Sequence, residues 1–197
     1  MPDPNNIILR EHGLIFMCIP KAANTSIKMA LQQALGLRGD PHRVFETCDK
    51  LEAKVFDGEK IAFTRNPVDR LRSCYIDKVC RAPFPAFIRR GIPHGASFDE
   101  FIDHVCETPD QDADQHFRAQ SYDLMIDDTM VPTFVGSVEN IDVEWATVQE
   151  MCEKRGLHGV PSLPHANRTD ADFHIPDNTL ARIRQRYAED FKAFGYE

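Results

Sequence analysis

The sequence predicts an α/β fold in which a central, mostly parallel sheet is flanked by helices. Short apolar runs alternate along the chain with longer segments of helical periodicity, and this alternation is typical of parallel strands joined by helices that cover both faces of the sheet. Two of the apolar runs, residues 14–19 and 61–64, lead directly into helix-like segments. A chain of 197 residues has the usual length of one domain, so we expect a single domain over residues 1–197.

The first half of the chain contains both of these strand–helix pairs. Residues 14–19 predict a buried strand, and residues 24–35 predict a helix that ends at Gly36. Residues 61–64 predict the second strand, and Pro67 suits the first position of the helix after it. The apolar face of that helix consists of Leu71, Cys74, Tyr75 and Val79. Both pairs place a turn where a strand ends, which is where ligands bind in sheets of this kind.

The second half of the chain continues the alternation less regularly. Residues 81–96 hold three prolines and two glycines and predict a loop. Ser97 and Glu100 match a capping box that begins a helix extending to about residue 105. The remaining predictions, in chain order, are an exposed acidic segment at 108–114, a strand at 133–138, a helix at 142–154 with Trp145, Val148 and Cys152 inward, a loop at 160–172, and a C-terminal helix from about 177 marked by Leu180, Ile183, Tyr187 and Phe191.

The charge distribution bears on the partners that the chain can take. The formal net charge is −8, which argues against a general nucleic-acid binder. Residues 65–90 carry seven Lys or Arg against two Asp, a net charge of +5, whereas residues 99–128 carry ten Asp or Glu against one Arg, a net charge of −9. Because the basic block coincides with the second strand–helix pair, it indicates a local anion site within an acidic protein. Two solvated faces of opposite sign are the alternative.

The cysteines and the hydropathy pattern bear on cellular location. The six cysteines, at positions 18, 48, 74, 80, 106 and 152, form no Cys-x-x-Cys pair, so we expect buried reduced thiols and no zinc site. The N-terminus lacks the basic and apolar regions of a signal peptide, and the chain contains no run of about 18 apolar residues. We therefore expect no membrane span and a cytoplasmic enzyme.

The first strand leads into the segment Cys18-Ile19-Pro20-Lys21-Ala22-Ala23-Asn24-Thr25-Ser26. A helix N-terminus offers backbone N–H groups and a partial positive charge to an anion. Lys21 adds a full charge, and Thr25 and Ser26 add hydroxyl donors. An ordinary helix that is capped by Asn24, with Lys21 solvated, is the alternative. The segment is not a Walker A loop because residues 18–28 contain no glycine, and we interpret the Walker B-like run at 124–128 as the edge of a strand or turn.

The second strand leads into the segment Phe63-Thr64-Arg65-Asn66-Pro67-Val68-Asp69-Arg70-Leu71-Arg72-Ser73. Arg65 stands at the end of the strand, and Ser73 lies eight residues later, about two turns into the next helix. A guanidinium and a hydroxyl together suit a terminal phosphate. The alternative is a capped helix with surface ion pairs, for which the available charges are Arg70, Arg72, Asp69 and Asp77.

The two segments together resemble the 5′-phosphosulfate and 3′-phosphate motifs of sulfotransferases that use 3′-phosphoadenosine 5′-phosphosulfate (PAPS). The resemblance is closest to the carbohydrate sulfotransferase group, known as sulfotransferase family 2, and it covers about residues 14–196. Three later segments contribute to it, namely His116-Phe117-Arg118-Ala119-Gln120, Phe134-Val135-Gly136-Ser137-Val138-Glu139-Asn140 and Tyr187-Ala188-Glu189-Asp190-Phe191-Lys192-Ala193-Phe194-Gly195-Tyr196. It implies a P-loop-like three-layer fold and metal-free sulfuryl transfer from PAPS to a hydroxyl of a carbohydrate or glycoconjugate.

The chain departs from this group in two respects. Ala23 stands where many relatives have glycine, and the membrane anchor and luminal stem of the animal Golgi relatives are absent. The second departure favours a cytosolic, microbial-type enzyme.

The resemblance also implies roles for individual residues. Lys21 would contact the bridging oxygen between sulfate and phosphate and stabilise the leaving phosphate. Arg65 and Ser73 would bind the 3′-phosphate. The residues expected to cradle the 5′-phosphate are Ala22, Ala23, Asn24, Thr25 and Ser26, and those matching a late loop over the nucleotide are Asn167, Arg168 and Thr169.

Transfer to a hydroxyl also needs a general base. By resemblance, a histidine shortly before the second motif takes this role, and His42 is the only histidine between the two motifs. His116 is the rival, because its His-x-Arg-x-Gln setting suits the acceptor side, and Glu46 is a further alternative. Two other functions stay open at this point. A nucleotide kinase or NTPase is disfavoured by the missing glycine loop, and a non-catalytic nucleotide- or glycan-binding module is disfavoured mildly by Lys21 and His42.

Overall fold

A five-stranded mixed sheet forms the centre of the first of two compact units in the chain. The computed structural model describes residues 6–164 and 173–197. Within these residues the first unit comprises 6–64 and 123–164, and the second comprises 65–122 and 173–197. The strands of the sheet, in chain order, are β1 (Asn6–Leu9), β2 (Leu14–Met17), β3 (Thr47–Cys48), β4 (Glu59–Thr64) and β7 (Phe134–Ser137).

The sheet has the strand order β3-β1-β2-β4-β7. Strand β2 pairs in parallel with β4, and β4 pairs in parallel with β7 in a register that places Phe63 opposite Gly136. Strand β1 is antiparallel to both of its neighbours, so it alone runs against the other four strands. The predicted α/β class, with a mostly parallel sheet flanked by helices, is confirmed.

Three helices belong to the first unit: α1 (Asn24–Ala34), α2 (Lys50–Val55) and α7 (Ile141–Lys154). Helices α1 and α7 bury their apolar sides against one face of the sheet, where Phe63 and Trp145 lie with ring centroids 6.1 Å apart. Gly136 is required there, because a Cβ atom at that position would lie only 2.6 Å from the Phe63 ring. The alternate strand residues, which point to the opposite face, are also buried; they are Ile8, Ile15, Met17 and Ala62.

The first unit also contains the predicted Walker B-like run. Residues Met125–Ile126 form β5, which pairs with β6 (Thr129–Met130) in a separate two-stranded sheet. Asp127 and Asp128 connect the two strands with φ angles of 49° and 59°, as a tight hairpin turn requires. The run is therefore a hairpin edge and takes no part in the central sheet, which confirms the sequence interpretation.

The second unit is helical and has an aromatic core. Its helices are α3 (Pro67–Tyr75), α4 (Pro85–Arg89), α5 (Phe98–Glu107), α6 (Gln120–Leu124), α8 (Asp177–Arg186) and α9 (Ala188–Phe194), with a π-helical turn at Ile76–Cys80 after α3. Phe87, Phe101 and Phe117 are almost fully buried in this core, and their ring centroids lie 5.6–6.3 Å apart. Phenylalanine burial of this kind contributes about 1.5–3 kcal/mol for each side chain.

Several sequence predictions need correction in the second unit. The loop predicted at 81–96 contains α4, which begins at Pro85, a residue suited to a first helical position. The C-terminal helix is interrupted at Tyr187, which has φ −110° and ψ 26° and separates α8 from α9. The segment 108–114 is not exposed throughout, since Ala113 and Asp114 are buried. The capping box at Ser97 and Glu100 is present as predicted.

All six cysteines are free thiols, but the expectation that they are buried is wrong for Cys80 and only partly met for Cys106, which is half-buried. Cys18, Cys48, Cys74 and Cys152 are buried, whereas Cys80 is exposed. Burial raises the pKa of the Cys48 thiol to about 12 and that of Cys152 to about 11. These cysteines are therefore packing residues and not nucleophiles.

Candidate active site

The first motif forms the turn between β2 and α1 in the first unit. Two of its residues adopt left-handed backbone conformations, Lys21 with φ 70° and Ala23 with φ 57°. Neither is glycine, so each conformation costs on the order of 1–2 kcal/mol. Turns that alternate in this way point successive backbone N–H groups to one side and form anion-binding concavities. The strain is therefore located where a phosphate-binding turn is predicted.

The start of α1 contradicts the capped-helix alternative. The N-cap position is Ala23, and no side-chain cap hydrogen bond is formed there among the described residues. Asn24 is the first helical residue, and within the described part of the chain its buried Oδ1 atom has no hydrogen-bond partner. The alternative of a helix capped by Asn24 is therefore wrong, because Ala23, in its left-handed conformation, occupies the cap position. The first turn of α1 thus lacks the side-chain acceptor that usually satisfies its N–H groups.

His42 lies beside the first motif. Its Nε2 atom is 3.4 Å from Thr25 Oγ1, and its backbone N–H donates to Asp40 Oδ1 at 2.9 Å. Glu46, the alternative base, accepts a hydrogen bond from Arg10 at 2.8 Å instead. The geometry therefore brings His42, which the sequence singled out, to the residues predicted to hold the 5′-phosphate.

The second motif forms the link between β4 and α3 at the start of the second unit. Arg65 follows the last residue of β4, and the Asn66 side chain caps α3 by accepting from the Val68 N–H at 3.0 Å. Ser73 lies in α3 and is 4 % exposed. The predicted strand end and helix are confirmed, and they place Arg65 and Ser73 on one continuous strand–helix connection. The cap at Asn66 belongs to the alternative of a capped helix with surface ion pairs, and that feature is also present.

The other two arginines of the second motif have structural partners. Arg70 is 1 % exposed, and its guanidinium donates to the carbonyl oxygens of Arg118 at 2.7 Å and Gln115 at 2.9 Å. Arg72 pairs with Asp69 at 2.9 Å, as the sequence suggested. Arg70 and Arg72 therefore have structural contacts within the second unit, and Arg65 is the arginine of this motif that directly follows β4.

His116 forms a dyad with a carboxylate in the second unit. Its Nδ1 atom is 2.6 Å from Asp114 Oδ1, and its backbone N–H donates to the same oxygen at 3.0 Å. Burial raises the pKa of Asp114, but the hydrogen bonds from His116 and the charge of Arg90 outweigh it and hold that pKa below its usual range. A carboxylate that holds Nδ1 in this way fixes the orientation of the ring.

Sequence reasoning missed Asp114, which it assigned to an exposed acidic segment. The available signal was the two-residue spacing Asp114-x-His116, because an Asp side chain commonly accepts from the backbone N–H two residues later. The third predicted group, Asn167, Arg168 and Thr169, lies outside the described residues.

A family model described as the sulfotransferase family matches residues 4–197. The chain belongs to the sulfotransferase family. No curated protein and no solved structure matches this sulfotransferase. Family membership supports sulfuryl transfer as the class of reaction and implies an acceptor substrate.

No helix of the described part of the chain is long and apolar enough to cross a membrane. No group of three or more His, Cys, Asp or Glu side chains within residues 6–164 and 173–197 is arranged to hold a metal ion.

Proposed function

We propose that this sulfotransferase moves the sulfuryl group of PAPS to a hydroxyl of a carbohydrate or glycoconjugate, without a metal ion. The observation that carries the proposal is the strained turn at Lys21 and Ala23, followed by a helix start without a side-chain cap. Non-glycine residues keep such conformations only where the surroundings enforce them, and these positions concentrate at ligand clamps. A 5′-phosphosulfate offers acceptor oxygens to backbone N–H groups at such a turn and helix start.

We assign the reacting end of PAPS to the first motif. PAPS supplies an activated sulfuryl group whose transfer breaks the bond between sulfur and the oxygen bridging to the 5′-phosphate. Lys21 neutralises the negative charge that grows on that oxygen, and the residues assigned to hold the phosphate are Ala22, Ala23, Asn24, Thr25 and Ser26. Charge stabilisation of this kind is the largest contribution in the analogous phosphoryl transfers.

We assign the acceptor proton to His42, with His116 as the second candidate. His42 lies 3.4 Å from Thr25 of the phosphate-binding turn, so a base at this position is adjacent to the proposed donor group. His116 has the better-oriented ring because of Asp114. A specific observation thus favours each histidine, and their variants distinguish them.

The 3′-phosphate is assigned to Arg65 and Ser73 of the second motif. A guanidinium binds a terminal phosphate through two parallel N–H donors, and a serine hydroxyl adds a third donor. We also propose that Asn167, Arg168 and Thr169 contribute to nucleotide binding, and the cytoplasmic location stays a prediction.

The first experiment measures binding of the desulfonated product, adenosine 3′,5′-bisphosphate, by thermal unfolding. At a ligand concentration about 100 times the dissociation constant, the free energy of unfolding should rise by roughly 2.7 kcal/mol. Adenosine 5′-phosphate is the matched control, because it lacks only the 3′-phosphate and should stabilise the protein less. Absence of any shift at millimolar bisphosphate would contradict the PAPS assignment.

The second experiment transfers labelled sulfate from PAPS to a panel of glycans, glycolipids and small phenols. Incorporation into glycans or glycolipids supports the carbohydrate assignment, whereas exclusive labelling of phenols would contradict it. The reaction is repeated with EDTA. Loss of transfer with EDTA and its recovery with magnesium would favour the kinase-like alternative, and tight bisphosphate binding without any transfer would favour a non-catalytic binding module.

A further inference from the structure

The side chain of Gln120 is hydrogen-bonded to both backbone polar groups of Arg65. Gln120 Oε1 accepts from the Arg65 N–H at 2.9 Å, and Gln120 Nε2 donates to the Arg65 carbonyl oxygen at 2.8 Å. Gln120 is fully buried. A single amide group therefore fixes the peptide groups on both sides of Arg65, in the way that a neighbouring strand does within a sheet.

Arg65 lies at a point where regular structure does not fix the backbone. The last residue of β4 in the sheet register is Thr64, and α3 begins only at Pro67. The hydrogen bonds from Gln120 thus extend the ordered backbone one residue beyond the end of the strand. Since a side chain leaves from its own Cα atom, they also fix the direction in which the Arg65 side chain starts.

Gln120 is itself anchored by Asp190. The backbone N–H of Gln120 donates to Asp190 Oδ2 at 2.9 Å, and its side-chain Nε2 lies 3.4 Å from the same oxygen. The other carboxylate oxygen accepts from the Ser121 N–H at 2.7 Å and from Ser121 Oγ at 2.6 Å. Asp190 is fully buried, and a buried carboxylate is tolerated because several donors satisfy it.

We infer that Gln120, held by Asp190, is a positioning residue that aims Arg65 at the 3′-phosphate. The inference rests on the proposed function, which assigns that phosphate to Arg65. It gives roles to Gln120 and Asp190, two buried residues that the proposed reaction does not otherwise use. A guanidinium lies several bonds from its Cα atom, so a small rotation of the Arg65 backbone displaces it by about 1 Å, enough to lose much of a directed contact.

The test replaces Gln120 with methionine, which fills a similar volume but cannot bond to the Arg65 backbone. Dissociation constants for adenosine 3′,5′-bisphosphate and adenosine 5′-phosphate are measured by calorimetry, and their ratio reports the contribution of the 3′-phosphate. We expect the ratio in favour of the bisphosphate to fall about tenfold in Gln120→Met, the lower end of what a charge-assisted hydrogen bond contributes. General loosening of the fold lowers the affinity for both nucleotides by the same factor and therefore leaves this ratio unchanged.

The matched control is Tyr187→Phe in the same unit. Tyr187 is buried, and its hydroxyl donates to the carbonyl oxygen of Phe117, so this variant also loses a buried hydrogen bond but leaves the contacts of Arg65 in place. It should lower the melting temperature without changing the ratio. If Gln120→Met does not fold, Asp190→Asn replaces it, because asparagine keeps the shape and one acceptor oxygen; its ratio should fall in the same direction by a smaller factor.

The outcomes separate this inference from the proposed function. A wild-type protein that binds both nucleotides equally would refute the assignment of the 3′-phosphate to Arg65 itself. A wild-type preference that persists in Gln120→Met, or that Tyr187→Phe reduces by as much, would show that Gln120 only stabilises the fold and would overturn the inference alone.

Discussion

Replacement of Arg70 by methionine should destabilise the protein strongly without changing its preference for a 3′-phosphate. Arg70 is 1 % exposed and donates to the carbonyl oxygens of Arg118 and Gln115 at 2.7 and 2.9 Å. Each hydrogen bond from a charged donor contributes about 1.5–3 kcal/mol, and methionine recovers about 1 kcal/mol through burial of its own apolar surface. The free energy of unfolding should therefore fall by about 3 kcal/mol, which lowers the melting temperature by roughly 6–12 °C in a chain of this length.

The assay is equilibrium unfolding in urea together with thermal unfolding. Arg72→Met is the matched control, since its partner Asp69 is only three residues away on the same helix and the Arg72 side chain is 24 % exposed. The ion pair contributes about 0.2–1 kcal/mol. The Arg72 guanidinium also lies 5.5 Å from the centroid of the Phe173 ring, a contact that contributes about 0.5–1 kcal/mol, so the control should lose no more than about 2 kcal/mol. If Arg70→Met lost less than the control and also abolished the preference for bisphosphate over 5′-phosphate, Arg70 would be a phosphate ligand and the separation of roles within the motif would be wrong.

Three further predictions concern the proposed chemistry and its pH dependence. Lys21→Ala should lower kcat far more than it weakens nucleotide binding, because charge on the bridging oxygen grows only in the transition state; steady-state kinetics with near-normal kcat would leave Lys21 a binding role alone. His42→Ala should lower kcat more than His116→Ala, by up to about 10²–10⁴-fold for a positioned base, and the reverse order in correctly folded variants would exchange their roles. The pKa of Asp114 lies below its usual value because the hydrogen bonds from His116 outweigh the effect of burial, so its ionised form stabilises the fold above about pH 4 and this contribution is lost as the pH falls through the lowered pKa. Urea unfolding of Asp114→Asn should therefore show a deficit relative to wild type at about pH 6 that narrows towards pH 3, and a deficit independent of pH would show that the charge of Asp114 does not stabilise the fold.

The strand–turn–helix segments could be predicted because their signals are local. The run before Lys21 and the run before Arg65 are apolar, and each is followed within a few residues by a helix-starting pattern. The structure places these elements within one to two residues of the predicted bounds, with α1 at Asn24–Ala34 and β4 at Glu59–Thr64. Both turns therefore lie at the ends of neighbouring parallel strands, as the alternation of elements predicted.

The elements that the sequence did not reveal are short or weakly amphipathic. Strand β3 has two residues, and β1 has four, too few for a periodic signal. Helix α2 was missed because its apolar residues Leu51 and Val55 are 66 % and 81 % exposed, so no buried face shaped its pattern. The sequence left the alternative of an Asn24 cap open, because a left-handed alanine at a cap position has no sequence signature.

The contacts that organise the second motif could not be predicted because their partners are far apart in the chain. Gln120 is 55 residues from Arg65, and Asp190 is 70 residues from Gln120. A buried carboxylate on a C-terminal helix has the same sequence appearance as a solvated one, and only tertiary packing distinguishes them. In the structure, burial and a complete set of hydrogen-bond donors identify Asp190 as a structural residue. From the sequence alone, Asp190 cannot be told apart from the other acidic residues.

We propose that the two motifs present positive charge to an anion by different physical means. In the first, the backbone carries the specificity, because the left-handed conformations at Lys21 and Ala23 orient N–H groups before any ligand contact is made. In the second motif, the Arg65 side chain carries the specificity, and the fold restrains this side chain indirectly, through hydrogen bonds to the Arg65 backbone. A backbone turn tolerates many substitutions because every residue type except proline provides the same N–H group, whereas the direction of the Arg65 side chain depends on one buried glutamine. Loss of selectivity by distant substitutions should therefore be concentrated at the second motif, and loss of turnover at the first.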